Sequence, residues 1–192
     1  MAIRYSEISV ELREVALNNK PVELLHSSPK ATVPVLIKPD GSILEESLDI
    51  MHWALKRNDP QNWLHSANKP NMESLILVND SDFKIHLDHY KYADRFPAQP
   101  PAHYRQLGES FLAQLEHLLH DQPYLTGRTI SIADIALFPF IRQFAYVDIN
   151  WFNCAPYPKL RNWLNHWLAS DLFASVMHKQ PPWVDQQKPL IF

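Results

Sequence analysis

Polar and apolar residues alternate from Ile8 to Val15, with Ile8, Val10, Leu12 and Val15 set against Ser9, Glu11, Arg13 and Glu14, which is the pattern of a half-buried strand. Ahead of it, Met1 to Ser6 reads as the end of an amphipathic helix without a capping start, with Met1, Ile3 and Tyr5 available for burial. Pro21 to Ser28 reads as a short helix opened by proline at its first position. Val35 to Ile37 and Ser42 to Leu44 flank the turn Pro39, Asp40, Gly41 and form an antiparallel pair; Ser47 to Lys56 follows as a helix with Ser47 as its cap. The period then changes. Leu75, Val78, Phe83, Leu87 and Tyr90 recur at helical spacing through Met72 to Phe96, Pro97 to Pro101 breaks the pattern, and Ala102 to His120 resumes it. Ile132 to Val147, Lys159 to Ala169 and Asp171 to Met177 complete the helices, and Gln180 to Phe192, with Pro181, Pro182 and Pro189, reads as an extended surface tail.

Residues 58–71 contain Asn58, Asp59, Pro60, Gln61, Asn62, Asn68, Lys69, Pro70 and Asn71, a polar, proline-containing bridge. The predicted organisation is therefore a small mixed domain over 1–57, a linker over 58–71 and an all-helical domain with an extended tail over 72–192. The fold class is α+β.

Composition narrows the class. With 46% hydrophobic residues, six Trp, nine Phe and seven Tyr, the 192 residues support packed cores, and only three Gly fit a largely helical chain. A formal charge of −3 without runs of Lys or Arg gives no basic surface for nucleic acid. The most apolar window, Ile130 to Val147, contains Asp134, Pro139 and Arg142 and reads as a buried helix, so no membrane span is expected. Arg4, Glu7, Glu11, Arg13 and Glu14 do not fit a secretory signal, and one Cys cannot build a disulfide framework; the expected location is cytoplasmic.

The chemistry concentrates in Thr32, Val33, Pro34, Val35, Leu36 and in Ile43 to Ile50. Pro34 cannot donate to a sheet ladder, so it belongs at a strand start and is a candidate cis bond. Lys20 lies thirteen residues before Val33 and Glu46 thirteen after it. In order and spacing these pieces resemble the glutathione transferase superfamily, most closely its omega-like and bacterial cysteine-type members. The second signature is Tyr124, Leu125, Thr126, Gly127 leading to Ile130, Ser131, Ile132, Ala133, Asp134: Ser131 can cap the helix and Asp134 can return a capping-box bond. It resembles a buried helix start of the superfamily's C-terminal domain and bears on folding alone.

The resemblance implies a thioredoxin-like N-terminal domain followed by an all-helical one, with glutathione as cosubstrate. The extended cysteinyl backbone would pair with the main chain of Val33 ahead of Pro34. The glutamyl carboxylate would meet the amide and hydroxyl of Ser47 at a helix start. Glu46 would accept from the free ammonium and Lys20 would receive the glycyl carboxylate. The other partner would be a small electrophile or a disulfide, and the expected assembly is a homodimer. The superfamily's Cys, Ser or Tyr that activates the thiolate sits between the first strand and first helix. Alignment through Lys20 puts Met1 within that helix, which implies an N-terminally truncated chain with the catalytic position upstream and none of its own residues inheriting it. The implied missing strand lies between the second and third strands, and residues 1–6, the tail Leu190, Ile191, Phe192 or a partner subunit is expected to compensate. Three readings follow: a glutathione transferase that conjugates electrophiles or reduces disulfides, a non-catalytic interaction protein on the same fold, and an inactive truncation of the first.

The remaining reactive residues read as structural. Cys154 is expected as a packed or free thiol, and the pairs His86/His89 and His117/His120, at i and i+3, lack the further ligands of a zinc site. Tyr90 and Tyr92 read as core or interface, and Trp151, Trp163, Trp167 and Trp183 as core.

Overall fold

The computed structural model describes residues 1–65, 69–185 and 188–192. In chain order the elements are α1 (Ala2–Tyr5), β1 (Glu11–Leu12), α2 (Val22–Ser27), β2 (Leu36–Ile37), β3 (Ile43–Leu44) and α3 (Ser47–Leu55), followed by α4 (Lys69–Val78), a π turn (Asn79–Phe83), α5 (Lys84–Lys91) and a 3-10 turn (Ala93–Arg95). Then come α6 (Pro101–Leu118), α7 (Ile132–Val147), α8 (Ile149–Cys154), α9 (Pro158–Leu168), α10 (Asp171–Val176) and β4 (Leu190–Ile191). The chain packs as two units, Met1–Pro60 with Asp171–Phe192, and Gln61–Ser170.

In the first unit the apolar face of α3, through Ile50, Ala54 and Leu55, is buried at helical spacing, and α1 packs on that helix. Tyr5 donates its hydroxyl to Asp59 Oδ1 at 3.0 Å and Asn58 Nδ2 donates to the Ser6 carbonyl at 3.2 Å, which fastens α1 to the end of the unit. β1 pairs antiparallel with β4, Glu11 opposite Ile191 and Leu12 opposite Leu190. Val10 and Phe192 continue the ladder, the Phe192 N–H donating to Val10 O at 2.9 Å. Further back along the tail, Trp183 N donates to Glu14 O at 2.8 Å and the Arg13 guanidinium lies 4.7 Å from the centre of the Trp183 ring. The expected grouping of the tail with the helical domain therefore does not match the packing: residues 171–192 belong to the first unit because main-chain pairing with residues 10–14 holds them there. The tail pairs with β1, yet among the described residues neither the tail nor residues 1–6 bridges β1 to β2, so the expected filling of the place between those strands is not seen.

β2 and β3 form the predicted hairpin, Leu36 opposite Leu44 and Ile37 opposite Ile43, and Gly41 supplies the positive φ of the turn at 81°. The two ladders are separate, and among the described residues no strand joins the one holding Leu12 to the one holding Leu36.

The second unit is helical. Its axis is α7, whose Ile132, Ile135, Leu137, Phe138, Ile141 and Phe144 are all buried. Gly108 lets α6 approach this helix: a Cβ there would stand 2.5 Å from Phe144 Cε2. The start of α7 is the predicted capping box of Ser131 and Asp134. Asp134 is fully buried and accepts from Ser131 N at 2.9 Å, Ser131 Oγ at 3.1 Å, Leu125 N at 3.0 Å and Trp163 Nε1 at 2.9 Å. Burial pushes its pKa above the ordinary value, and the four donors pull it back. Glu116 on α6 caps α9 by accepting from Lys159 N at 3.1 Å and Leu160 N at 2.7 Å. Arg161 closes α8 onto α9 with bonds to the carbonyls of Phe152 and Ala155 at 3.0 and 3.1 Å.

Three expectations change. The helix predicted over Met72 to Phe96 is interrupted at Asn79–Phe83, where Asn79 is buried and bonded to Asp80 and Ser81 Oγ takes the Leu77 carbonyl at 2.8 Å, so side chains compete with the helical ladder. The short α8 has no pattern long enough to predict; Asp148 starts it by accepting from Trp151 N at 3.0 Å. The linker predicted over 58–71 lies partly at 66–68, outside the described residues, while Trp63 within it is buried in the second unit and its carbonyl accepts from Ile132 N at 2.9 Å.

Replacing Asp134 with Ala strands three buried N–H donors and should cost about 3–5 kcal/mol of unfolding free energy in denaturant titration, with Asp134→Asn costing less. Tyr157 donates its hydroxyl to Glu109 Oε2 at 3.0 Å, and burial, then that carboxylate, push its pKa from 10.0 up to about 12. A raised phenol pKa stabilises the fold fully below pH 10 and loses that contribution as pH rises through about 12. Tyr157→Phe should therefore be less stable than wild type by about 1 kcal/mol below pH 10, with the gap closing toward pH 12.

Candidate functional site

The candidate residues stand on the loops and helix start of the first unit. The Val33–Pro34 bond is cis, as expected, and β2 begins only at Leu36, so the main chain of Val33 lies outside the ladder on a residue that is 44% exposed. Glu46, with extended φ and ψ of −107° and 135°, is the cap residue of α3, because its carbonyl takes the first intrahelical bond from Ile50 N at 3.1 Å. This corrects the expectation for Ser47: it is the first residue of the helix and makes no side-chain capping bond. No intrahelical carbonyl can reach the amides of Ser47, Leu48 and Asp49, so the helix start presents donors beside the Glu46 carboxylate.

Two contacts tie this helix start to the loop that carries Val33. Ser28, buried at the end of α2, donates its hydroxyl to Glu45 Oε1. Lys30 Nζ donates to Glu46 Oε1 at 2.8 Å, with side-chain exposures of 56% and 64%. The Lys30 pKa is raised, first by that hydrogen bond and then by the charge of Glu46. The structure thus links Glu46 and Ser47 to the segment of Val33 and Pro34. Lys20 stands apart: it is exposed after the turn closed by Asn19 N and Ala16 O at 2.9 Å, and no hydrogen bond or ion pair joins it to the other four. Sequence reasoning missed Lys30, although its place between Ser28 and Thr32, beside the assigned segment, was the available signal.

Lys20, Val33, Pro34, Glu46 and Ser47 are all exposed, so the candidate site is a surface ledge. A cavity of about 450 Å³ in the second unit, bordered by His120, Tyr124 and His166, and one of about 360 Å³ in the first, bordered by Ile3, Ile8 and Phe192, both leave the candidate residues out. An extended peptide ligand held by strand-like pairing suits a ledge better than a closed cavity.

Elsewhere, Cys154 is a free, exposed thiol at the end of α8. Among the described residues no group of three or more His, Cys, Asp or Glu could hold a metal. Tyr90 is buried against Phe144, with ring centres 5.1 Å apart, whereas Tyr92 is exposed between Lys91 and Arg95 at 4.8 and 4.6 Å. Trp163 and Trp167 are core, as read; Trp151 is half-buried under Arg105, and Trp183 lies half-buried on the first unit under Arg13, because each keeps one ring face for a guanidinium.

The sequence model of the glutathione S-transferase N-terminal domain matches residues 1–63, and that of the C-terminal domain matches residues 98–166. The chain belongs to the glutathione transferase superfamily. Solved structures of that fold superpose on nearly all of this superfamily member. BphK, a bacterial glutathione transferase solved as a ternary complex, is 24% identical with a TM-score of 0.73, over 91% of this chain and 88% of its own. A sphingomonad glutathione S-transferase complexed with glutathione is 20% identical with a TM-score of 0.72, over 91% and 88%. Glutathione S-transferase 1-6 from Anopheles dirus species B is 16% identical with a TM-score of 0.75, over 91% and 85%. At these identities the likeness is one of fold. No curated protein matches by sequence. Among the described residues no helix is long and apolar enough to cross a membrane.

Proposed function

We propose that this superfamily member binds glutathione on the ledge of its first unit and uses it as cosubstrate, either conjugating it to a small electrophile or reducing a disulfide, in the manner of the omega-like and bacterial cysteine-type transferases. The observation that carries the reading is the start of α3. There a carboxylate, Glu46, and the outward amides of the first turn sit side by side. The γ-glutamyl head of glutathione is a zwitterion, and it needs an acceptor for its ammonium next to donors for its carboxylate. Glu46 accepts the ammonium. The amide and hydroxyl of Ser47 receive the carboxylate at the positive end of the helix.

The rest of the tripeptide runs along the loop. Its cysteinyl backbone pairs with the main chain of Val33 ahead of Pro34, and its glycyl carboxylate reaches Lys20, whose exposed and unpartnered ammonium is available to it among the described residues. Holding the peptide at three points fixes where the sulfur lies, and a fixed sulfur reacts faster once ionised. Ionisation itself needs a group that lowers the thiol pKa, and no residue of this chain is assigned that role. The proposed assembly is a cytoplasmic homodimer.

Calorimetric titration with glutathione, paired with turnover of chlorodinitrobenzene and of a mixed disulfide, tests the reading. Glu46→Ala removes a charge-assisted contact and should weaken glutathione binding about tenfold or more, without loss of fold because the side chain is exposed. Unchanged affinity would contradict the assigned contact. Binding without turnover would favour the non-catalytic interaction protein.

A further inference from the structure

We infer that Lys30 competes with the glutathione ammonium for Glu46: it pairs with one oxygen of that carboxylate and thereby sets how strongly the protein prefers ligands that bring a cation to it. The inference rests on the assignment of Glu46 as the ammonium acceptor. Its own footing is the ion pair, with Lys30 Nζ 2.8 Å from Glu46 Oε1. Lys30 lies three residues before Val33, and its ion pair brings its ammonium to the start of α3, where the head of a peptide paired along Val33 would lie.

Two ammonium groups cannot share one carboxylate oxygen at contact distance without repulsion. A ligand that brings its own ammonium to Glu46 either displaces Lys30 from Oε1 or takes Oε2 beside it, against the charge of Lys30. The exchange is feasible because both side chains are more than half exposed, and an exposed pair is held weakly. Lys30, like any lysine with an ordinary pKa, is charged at neutral pH. A ligand without the ammonium gains nothing from displacing Lys30, and leaves the pair in place. Were Lys30 instead a contact for the ligand's carboxylates, it would help both kinds of ligand alike.

The test compares glutathione with its deaminated analogue, glutaryl-cysteinyl-glycine, by calorimetry on wild type, Lys30→Met and Glu46→Ala. In Lys30→Met the preference for glutathione over the analogue should rise about two- to fivefold, the range expected for releasing one exposed ion pair. A preference that stays the same or falls overturns the inference, including the case where both ligands weaken together. Glu46→Ala separates the two levels. If it lowers glutathione affinity while Lys30→Met leaves the preference unmoved, only the role of Lys30 fails; if it leaves glutathione affinity unchanged, the site assignment fails and the competitor role with it.

Discussion

The helical unit is organised around one buried charge, the carboxylate of Asp134. Removing a carboxylate from water is so unfavourable that a protein keeps one buried only where donors surround it. Here the donors come from three separate places: the amide of Leu125 in the loop after α6, the amide and hydroxyl of Ser131 at the start of α7, and the indole of Trp163 on α9. The charge therefore cannot be satisfied unless loop, helix start and α9 are all in place, which converts an electrostatic penalty into a geometric requirement. The apolar face of α7 then packs with its register already set. Glu116 and Glu109 repeat the device less stringently nearer the surface, one capping α9 and the other taking the Tyr157 hydroxyl.

The first unit lacks an equivalent centre and relies on main-chain pairing. Each of its ladders has two strands of two residues, and such ladders are marginal unless something packs on them. Pairing of the tail with residues 10–14 lengthens the contact of β1, and the bond from Ser28 to Glu45 fixes the approach to α3 from a buried hydroxyl. That second bond bears on function. It places the Glu45–Glu46 corner against the end of α2, and the loop leaving α2 carries Lys30 and Val33, so the proposed acceptor and the proposed pairing edge are held by one short segment of chain.

Elements with long period or strong punctuation were legible in the sequence. The capping box at Ser131 and Asp134, the hairpin around Gly41, the proline after Val33 and the bounds of α7 all follow from local chemistry that leaves few alternatives. Where legibility failed, the deciding interaction was distant or side-chain-specific. The π turn at Asn79–Phe83 sits where the buried Asn79 and the exposed Ser81 hydroxyl interrupt an apolar period, α8 is too short to show one, and the place of Trp63 depends on Ile132, sixty-nine residues later. Ser47 looked like a cap because of its residue type, yet the carbonyl that takes the first helical bond belongs to Glu46. Among the candidate site residues, the Glu46–Ser47 pair and Val33–Pro34 were named through the family resemblance; the place of Lys30 beside that segment marked it as a neighbour, but its ion pair with Glu46 could not be read, because a sequence does not say which of several lysines a surface carboxylate will meet.

The contacts assigned to glutathione have a chemical limit that follows from their placement. In the proposed binding mode Glu46, Ser47 and Lys20 would act on the charged ends of the tripeptide and Val33 on its backbone; these contacts would be the same whether the sulfur is a thiol, a thiolate or a partly formed thioether. Interactions equally strong in ground and transition states lower KM and leave kcat unaltered. Acceleration must come from a donor or positive charge close to the sulfur, where ionisation changes the charge it sees. In the proposed mode the ledge would thus hold and orient the tripeptide. Any catalytic power of the protein is separable from it, which is why affinity and turnover have to be measured apart.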